Sequence, residues 1–229
     1  TQTIASARVD MNPHQVEAAM FALASPLSNG VILADEVGLG KTIEASLILA
    51  QKWAEQRRKL LLIAPATLRK QWSQELEEKF SLPSRIIEAK SFNQMIKEGC
   101  GNPFDIENAT GEAAICICSY EFASRKEHEL ARIPWDLVVM DEAHKLRNIY
   151  KSDGAKTAKK LSSALSGRKK ILLSATPLQN SILELYGLVS VIDPHFFGDL
   201  ASFKARYSRQ NIDDAELALL RVRLNNICN

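Results

Sequence analysis

Five short apolar runs punctuate the chain, at residues 30–34, 59–64, 113–119, 136–140 and 169–174. Several lack the two-residue alternation of a half-exposed strand, the pattern of strands covered on both faces of a parallel sheet. Between them the period changes. Residues 42–55 place Ile43, Leu47, Ala50 and Ala54 at helical spacing, and residues 68–80 do so with Leu68, Trp72, Leu76 and Phe80. Strands alternating with helices predict an α/β fold of βαβ units, with a mostly parallel central sheet flanked by helices. From residue 183 the pattern is helical only: 183–192, a break at Pro194 and Gly198, 200–207, then 213–226. The expected organisation is one α/β domain over 1–182 and a helical C-terminal extension over 183–229. Gly, Pro and polar residues over 99–111 predict a surface loop before the third strand.

Composition narrows the class. With 229 residues, 46% hydrophobic and 24% charged, the chain has the make-up of a globular protein and not of a disordered or collagen-like one. The longest uncharged stretch, 18–34, is broken by Ser25-Pro26 and Asn29-Gly30. A membrane helix needs about 20 mainly apolar residues, so no membrane association is expected. No basic and apolar leader opens the chain, which starts at Thr1 as a trimmed piece would. The cysteines Cys100, Cys116, Cys118 and Cys228 fit neither a disulfide frame nor a zinc site, so a reducing, cytoplasmic setting is expected.

Candidate chemistry begins between the first strand and the helix that follows it. Asp35-Glu36-Val37-Gly38-Leu39-Gly40-Lys41-Thr42 meets the end of the phosphate-loop pattern G-x-x-x-x-G-K-[ST], with Asp35 in place of its first glycine. Gly38, Leu39 and Gly40 can turn backbone N–H groups toward phosphate oxygens, and the helix N-terminus adds partial positive charge. Lys41 is expected to reach the β- and γ-phosphates, and Thr42 to offer its hydroxyl to Mg²⁺.

A second element ends the fourth apolar run, where Asp141-Glu142-Ala143-His144 follows Asp136-Leu137-Val138-Val139-Met140. A nucleotide site needs one carboxylate for the metal and one group to orient the attacking water. Asp141 suits the first task and Glu142 the second, at the strand ends where open α/β sheets bind ligands. The faint guanine-reading echo at Lys151-Ser152-Asp153 has Tyr150 in its first position, which favours ATP over GTP.

In order along the chain, DEVGLGKT, LLIAPATLRKQW, ICSYE, DEAH and LLSATPLQN resemble motifs I, Ia, Ib, II and III of superfamily-two helicases. The spellings DEVGLGKTIEA and ATPLQN, with ELYGLVSVIDPHFFG and FKARY, are similar to the Swi/Snf-like branch of double-stranded-DNA translocases, and the opening of the loop looks bacterial. The resemblance covers nearly the whole chain. It implies a RecA-like P-loop NTPase lobe, with ATP and Mg²⁺ as cofactors and a double-stranded DNA backbone as a sequence-independent partner. Gln15 matches a glutamine that reads adenine, although Asn12-Pro13-His14-Gln15 equally spells a helix-capping box. His144, Ser174 and Thr176 match positions that couple the nucleotide site to nucleic acid.

From Lys145 to Lys170 nine Lys/Arg face one acid, Asp153. Alone, such a run is a solvated surface. The resemblance makes it a backbone-tracking one, with Thr67, Lys70, Ser119, Tyr120 and Asn148 as expected phosphate contacts. Trp53 and Trp72 fit helix core positions. Motifs IV to VI have no counterpart, so a second RecA-like lobe of the same parent chain is an expected partner and the fragment alone is expected to hydrolyse ATP very poorly. Two other readings remain: a helicase lobe acting on RNA or single strands, and a non-catalytic module switched by nucleotide.

Overall fold

The structure, a computed structural model, describes residues 13–24, 29–34, 40–151, 155–175, 182–207 and 220. Among these, β1 (Gly30–Leu33), β2 (Leu60–Ala64), β3 (Ser84–Ile86), β4 (Ile115–Ser119), β5 (Leu137–Met140) and β6 (Lys170–Leu173) form one sheet. Its order is β1-β6-β5-β2-β4-β3, and every pairing is parallel. The five apolar runs each became a strand buried along its whole length.

Such strands are buried because helices cover both faces. Alternate residues of β2 divide between two cores, Leu61 and Ile63 on one side and Leu60, Leu62 and Ala64 on the other. The second side is covered by α1 (Pro13–Ala24), α2 (Lys41–Ala54) and α3 (Arg69–Phe80). The first is covered by α4 (Ala89–Lys97), α5 (Ile106–Thr110), α6 (Tyr120–Arg125), α7 (Glu127–Ala131), α8 (Lys156–Ala164) and α9 (Ile182–Ile192). A final helix, α10 (Leu200–Tyr207), packs Phe203 and Tyr207 against Tyr186 in a separate aromatic cluster.

Three expectations change. The edge strand β3 has only Ile86 as an apolar residue, too little for a hydrophobic run. The segment 99–111 is more than a loop, because buried Phe104 and Ile106 anchor α5 to the core. A break at 183 is also not where packing changes: Leu185, Leu188, Val189, Val191 and Ile192 of α9 belong to the main core. Gly187 lets α9 lie directly on the backbone after Asp141, since a Cβ there would sit 1.8 Å from the carbonyl oxygen of Arg147. Of the expected helix over 213–226, only Leu220 lies within the described residues; it is helical and buried.

Candidate nucleotide site

Because the strands are parallel, their carboxyl ends share one edge of the sheet. Along that edge the order is β1, β6, β5, β2, β4. The glycine turn follows β1, Ser174-Ala175 follows β6, and Asp141-Glu142 follows β5. The strand carrying Ser174 therefore lies between the other two. Residues 35–39, with Gly38 and Leu39, and Thr176 lie outside the described residues.

Gly40 caps α2 at φ +98°, a conformation that L side chains rarely adopt, and its carbonyl accepts from the N–H groups of Ile43 and Glu44 at 2.7 and 3.1 Å. Next to it lies Gln15, only 4% exposed: a Cβ built on Gly40 would come within 2.0 Å of the Gln15 Nε2. The side chain of Gln15 is thus packed against the glycine turn. Asn12, its alternative partner in a capping box, lies outside the described residues.

Lys41 and Thr42 open α2 and line a cleft of about 450 Å³ with Asp141, Glu142, Trp72 and Ala175. The hundred-residue gap between Lys41 and Asp141 is closed by the sheet order. Asp141 is held by its neighbours. Its Oδ2 accepts from the indole Nε1 of Trp72 at 2.7 Å, and its Oδ1 from the backbone N–H of Glu142 at 2.8 Å. Its own N–H donates to Ile63, and its carbonyl accepts from the Tyr120 hydroxyl at 2.7 Å. Burial pushes the Asp141 carboxyl up, and the charge of Glu142 adds to this. The Trp72 bond, the Glu142 amide and the Lys41 charge oppose the rise, and burial wins.

Glu142 stands at φ +52°, ψ +45°, left-handed for a residue with a Cβ. That turn ends the strand and starts the 3₁₀ turn Ala143–Leu146, in which His144 Nδ1 lies 3.0 Å from Glu142 Oε2. Left-handed backbone at a non-glycine residue costs on the order of 1 kcal/mol, and it clusters where function requires an unusual direction.

The oxygen donors lining the cleft include the Thr42 hydroxyl, the carboxylates of Glu75, Asp141 and Glu142, and the Gln71 side-chain amide. This hard oxygen set suits Mg²⁺, which typically takes one or two carboxylates together with phosphate oxygens. No group of three or more His, Cys, Asp or Glu that could hold a metal occurs among the described residues.

The family model of the SNF2-related domain matches residues 14–229. The chain belongs to the SNF2-related family. It is 36% identical over 201 residues to the uncharacterized ATP-dependent helicase YqhH of Bacillus subtilis (strain 168), covering 86% of this chain and 32% of that protein. It is 32% identical over 220 residues to the RNA polymerase-associated protein RapA of Cronobacter sakazakii (strain ATCC BAA-894), covering 93% of this chain and 22% of RapA. The chain thus spans a third or less of the length of these relatives. Its fold matches the Sulfolobus solfataricus SWI2/SNF2 ATPase core in complex with dsDNA, with a TM-score of 0.76 at 21% identity, over 98% of this chain and 45% of that one.

In this SNF2-related chain the expected DNA contacts divide. Thr67 and Lys70 are exposed at the start of α3, and Asn148 is half-buried after the 3₁₀ turn. Ser119 and Tyr120 turn inward, which corrects their reading as surface contacts: Ser119 Oγ caps α6 by accepting from the Phe122 N–H, and Tyr120 is 2% exposed with its hydroxyl on Asp141. Burial first, and then the charges of Asp141 and Glu142, push the Tyr120 phenol well up, so it stays a neutral donor. The basic run is not one surface either. Lys160 pairs with Glu127 at 2.7 Å and Arg147 with Glu184 at 3.5 Å, while Lys170 is buried in β6. Lys145, Lys151, Lys156 and Lys159 are exposed. Trp72 is a core residue as its spacing predicts, but its bond to Asp141 could not be read from the helix period.

Among the described residues no helix is long and apolar enough to cross a membrane.

Proposed function

We propose that this SNF2-related chain is the ATP- and Mg²⁺-binding lobe of a double-stranded-DNA-stimulated ATPase that translocates along duplex DNA. The observation that carries the reading is the shared cleft of Lys41, Thr42, Asp141 and Glu142, formed by residues a hundred positions apart. Names among the relatives support hydrolysis, and the duplex bound to the Sulfolobus core supports DNA as partner. Bacterial sources among the relatives favour a cytoplasmic site of action on the nucleoid over a nuclear one.

The residues divide the work as follows. Gly38, Leu39 and Gly40 present backbone N–H groups to the phosphates, and Lys41 adds a positive charge at the β- and γ-phosphates. Thr42 and Asp141 hold the cation, which when bound offsets charge on the phosphate oxygens. Glu142 orients a water and accepts its proton, with the His144 ring fixing its carboxylate. Gln15 reads the adenine edge from beside Gly40. Ser174, on the strand end next to the acids, and Thr176 pass the state of the site to the DNA-facing side.

Thr67, Lys70 and Asn148, with the exposed lysines after His144, contact phosphates of the duplex without reading sequence. A second lobe of the same parent chain closes over the cleft and supplies an arginine. Such an arginine is worth on the order of 10³–10⁵ in rate, so the lobe alone turns over very slowly.

The test is ATP turnover by the parent protein with duplex DNA, single-stranded DNA or RNA added. Duplex DNA should stimulate most, and the stimulation should fall steeply with salt. Greater stimulation by RNA or single strands would replace the duplex reading, and no turnover with any nucleic acid would leave a nucleotide-switched module.

A further inference from the structure

The edge of the sheet has two halves. The ends of β1, β6 and β5 carry the nucleotide-binding residues, and the end of β2 leads through Thr67 into α3 and Lys70. The boundary falls between β5 and β2, which pair through Leu60–Leu137 to Ile63–Met140. Among the described residues two side chains reach Asp141 across it: the Tyr120 hydroxyl donates to its backbone carbonyl, and Trp72 donates to its carboxylate. Trp72 of α3 reaches over to give its indole N–H to Asp141 Oδ2 at 2.7 Å, although 69 positions separate the two residues.

A buried indole needs an acceptor, and Trp72 is only 2% exposed. That need alone would be met by any carbonyl, as Trp135 does with the carbonyl of Leu130 at 3.0 Å. Trp72 instead takes one oxygen of the carboxylate that ends β5, while the Glu142 N–H takes the other. Two donors on two oxygens fix the rotation of the carboxylate plane. One lone pair on each oxygen is left for a cation in the cleft that Trp72 itself helps to line.

We propose that Trp72 is a positioning residue for the cation: through its N–H it sets the orientation in which Asp141 meets Mg²⁺, and it ties that orientation to the placement of α3. The inference rests on the nucleotide reading above and deepens it. Partners that orient a metal-binding side chain typically change metal affinity about 10–100-fold when removed.

The test uses the chain, a fluorescent ATP analogue, and either Mg²⁺ or EDTA. In wild type, Mg²⁺ should tighten binding over the EDTA arm. Trp72→Phe keeps the ring and loses the donor. It should leave binding in EDTA unchanged and raise the Mg²⁺ concentration needed for the tightening about tenfold. In an Asp141→Asn background, Trp72→Phe should add no further loss. Equal losses with and without Mg²⁺, or an unchanged Mg²⁺ requirement, would overturn the proposal by showing a purely structural tryptophan.

Should Trp72→Phe fail to fold, the wild-type indole N–H resonance of Trp72 gives the same answer. It is assigned by elimination with Trp53→Phe and Trp135→Phe. It should move when Mg²⁺ joins the bound nucleotide, and no movement beyond that caused by nucleotide alone would overturn the proposal. The underlying reading has its own control. If Lys41→Ala binds the analogue as wild type does, or wild type does not bind it, the nucleotide site itself is wrong.

Discussion

The side-chain amide of Gln15 and the α-carbon of Gly40 occupy one small space, so close that a Cβ on the glycine would lie 2.0 Å from Gln15 Nε2. Two segments that meet only in the folded chain thereby form one wall at the start of α2.

Gln15→Ala separates the two roles that its sequence position allows. As an adenine reader, its loss should reduce the preference for ATP over GTP in competition binding and leave the melting temperature of the chain nearly unchanged. As a capping residue, its loss should instead lower stability by about 1 kcal/mol and leave base preference intact. Competition binding and thermal melts on the same preparation decide between them.

Glu142→Gln removes the proposed proton acceptor and keeps the size of the side chain. The parent protein carrying this change should bind ATP as before and lose turnover by roughly 10² or more, the scale of general-base catalysis. Steady-state turnover alongside direct nucleotide binding separates the two effects. Unchanged turnover would remove Glu142 from this role.

Lys170 gives a prediction about pH. Desolvation in β6 brings its amine down from 10.5 to about 8, against the attraction of Asp193. The folded chain then binds fewer protons than the unfolded one between about pH 8 and 10.5. Stability therefore rises with pH across that window, and the full penalty is present below it. Lys170→Met should stabilise the chain at neutral pH by on the order of 3 kcal/mol and flatten the rise. Denaturant melts at pH 7 and pH 10 test both parts. A loss of stability at pH 7 would contradict the buried-charge account.

Gly187→Ala should be poorly tolerated despite helical propensity favouring alanine. The new methyl group meets the Arg147 carbonyl oxygen at 1.8 Å, and backbone cannot move aside as a side chain can. Either α9 shifts outward or the 3₁₀ turn after Glu142 deforms, at a cost of about 1–3 kcal/mol. A thermal melt registers the loss.

The strand set was legible because burial on both faces leaves continuous apolar runs, and residues 59–64 and 136–140 needed little else. The elements that escaped have other causes. β3 borrows its stability from β4 through pairing, so Ser84-Arg85-Ile86 carries almost no apolar signal of its own. Lys41, Thr42, Asp141 and Glu142 stand out in the sequence by motif and residue type, and the fold brings all four to one cleft. Tyr120 was misplaced because a short segment cannot show which way its first residue points. Its apolar neighbours Phe122 and Ala123, both buried, were the available hint. Trp72 was placed in the core correctly, but no local period encodes a partner on another element. A buried indole needs an acceptor, and the fold places Asp141 within reach of this one.

The pairing of β1 with β6 sets the timetable of synthesis. Gly30 lies opposite Lys170 and Leu33 opposite Leu173, so the strand made first on one side of the cleft waits for the strand made last. At translation speeds of about 5–20 residues per second, that wait is on the order of ten seconds. Through it Val31, Ile32 and Leu33, fully buried in the finished sheet, have no β6 to pair with. A nascent chain of this protein should thus engage chaperones before residue 170 emerges and release them soon after.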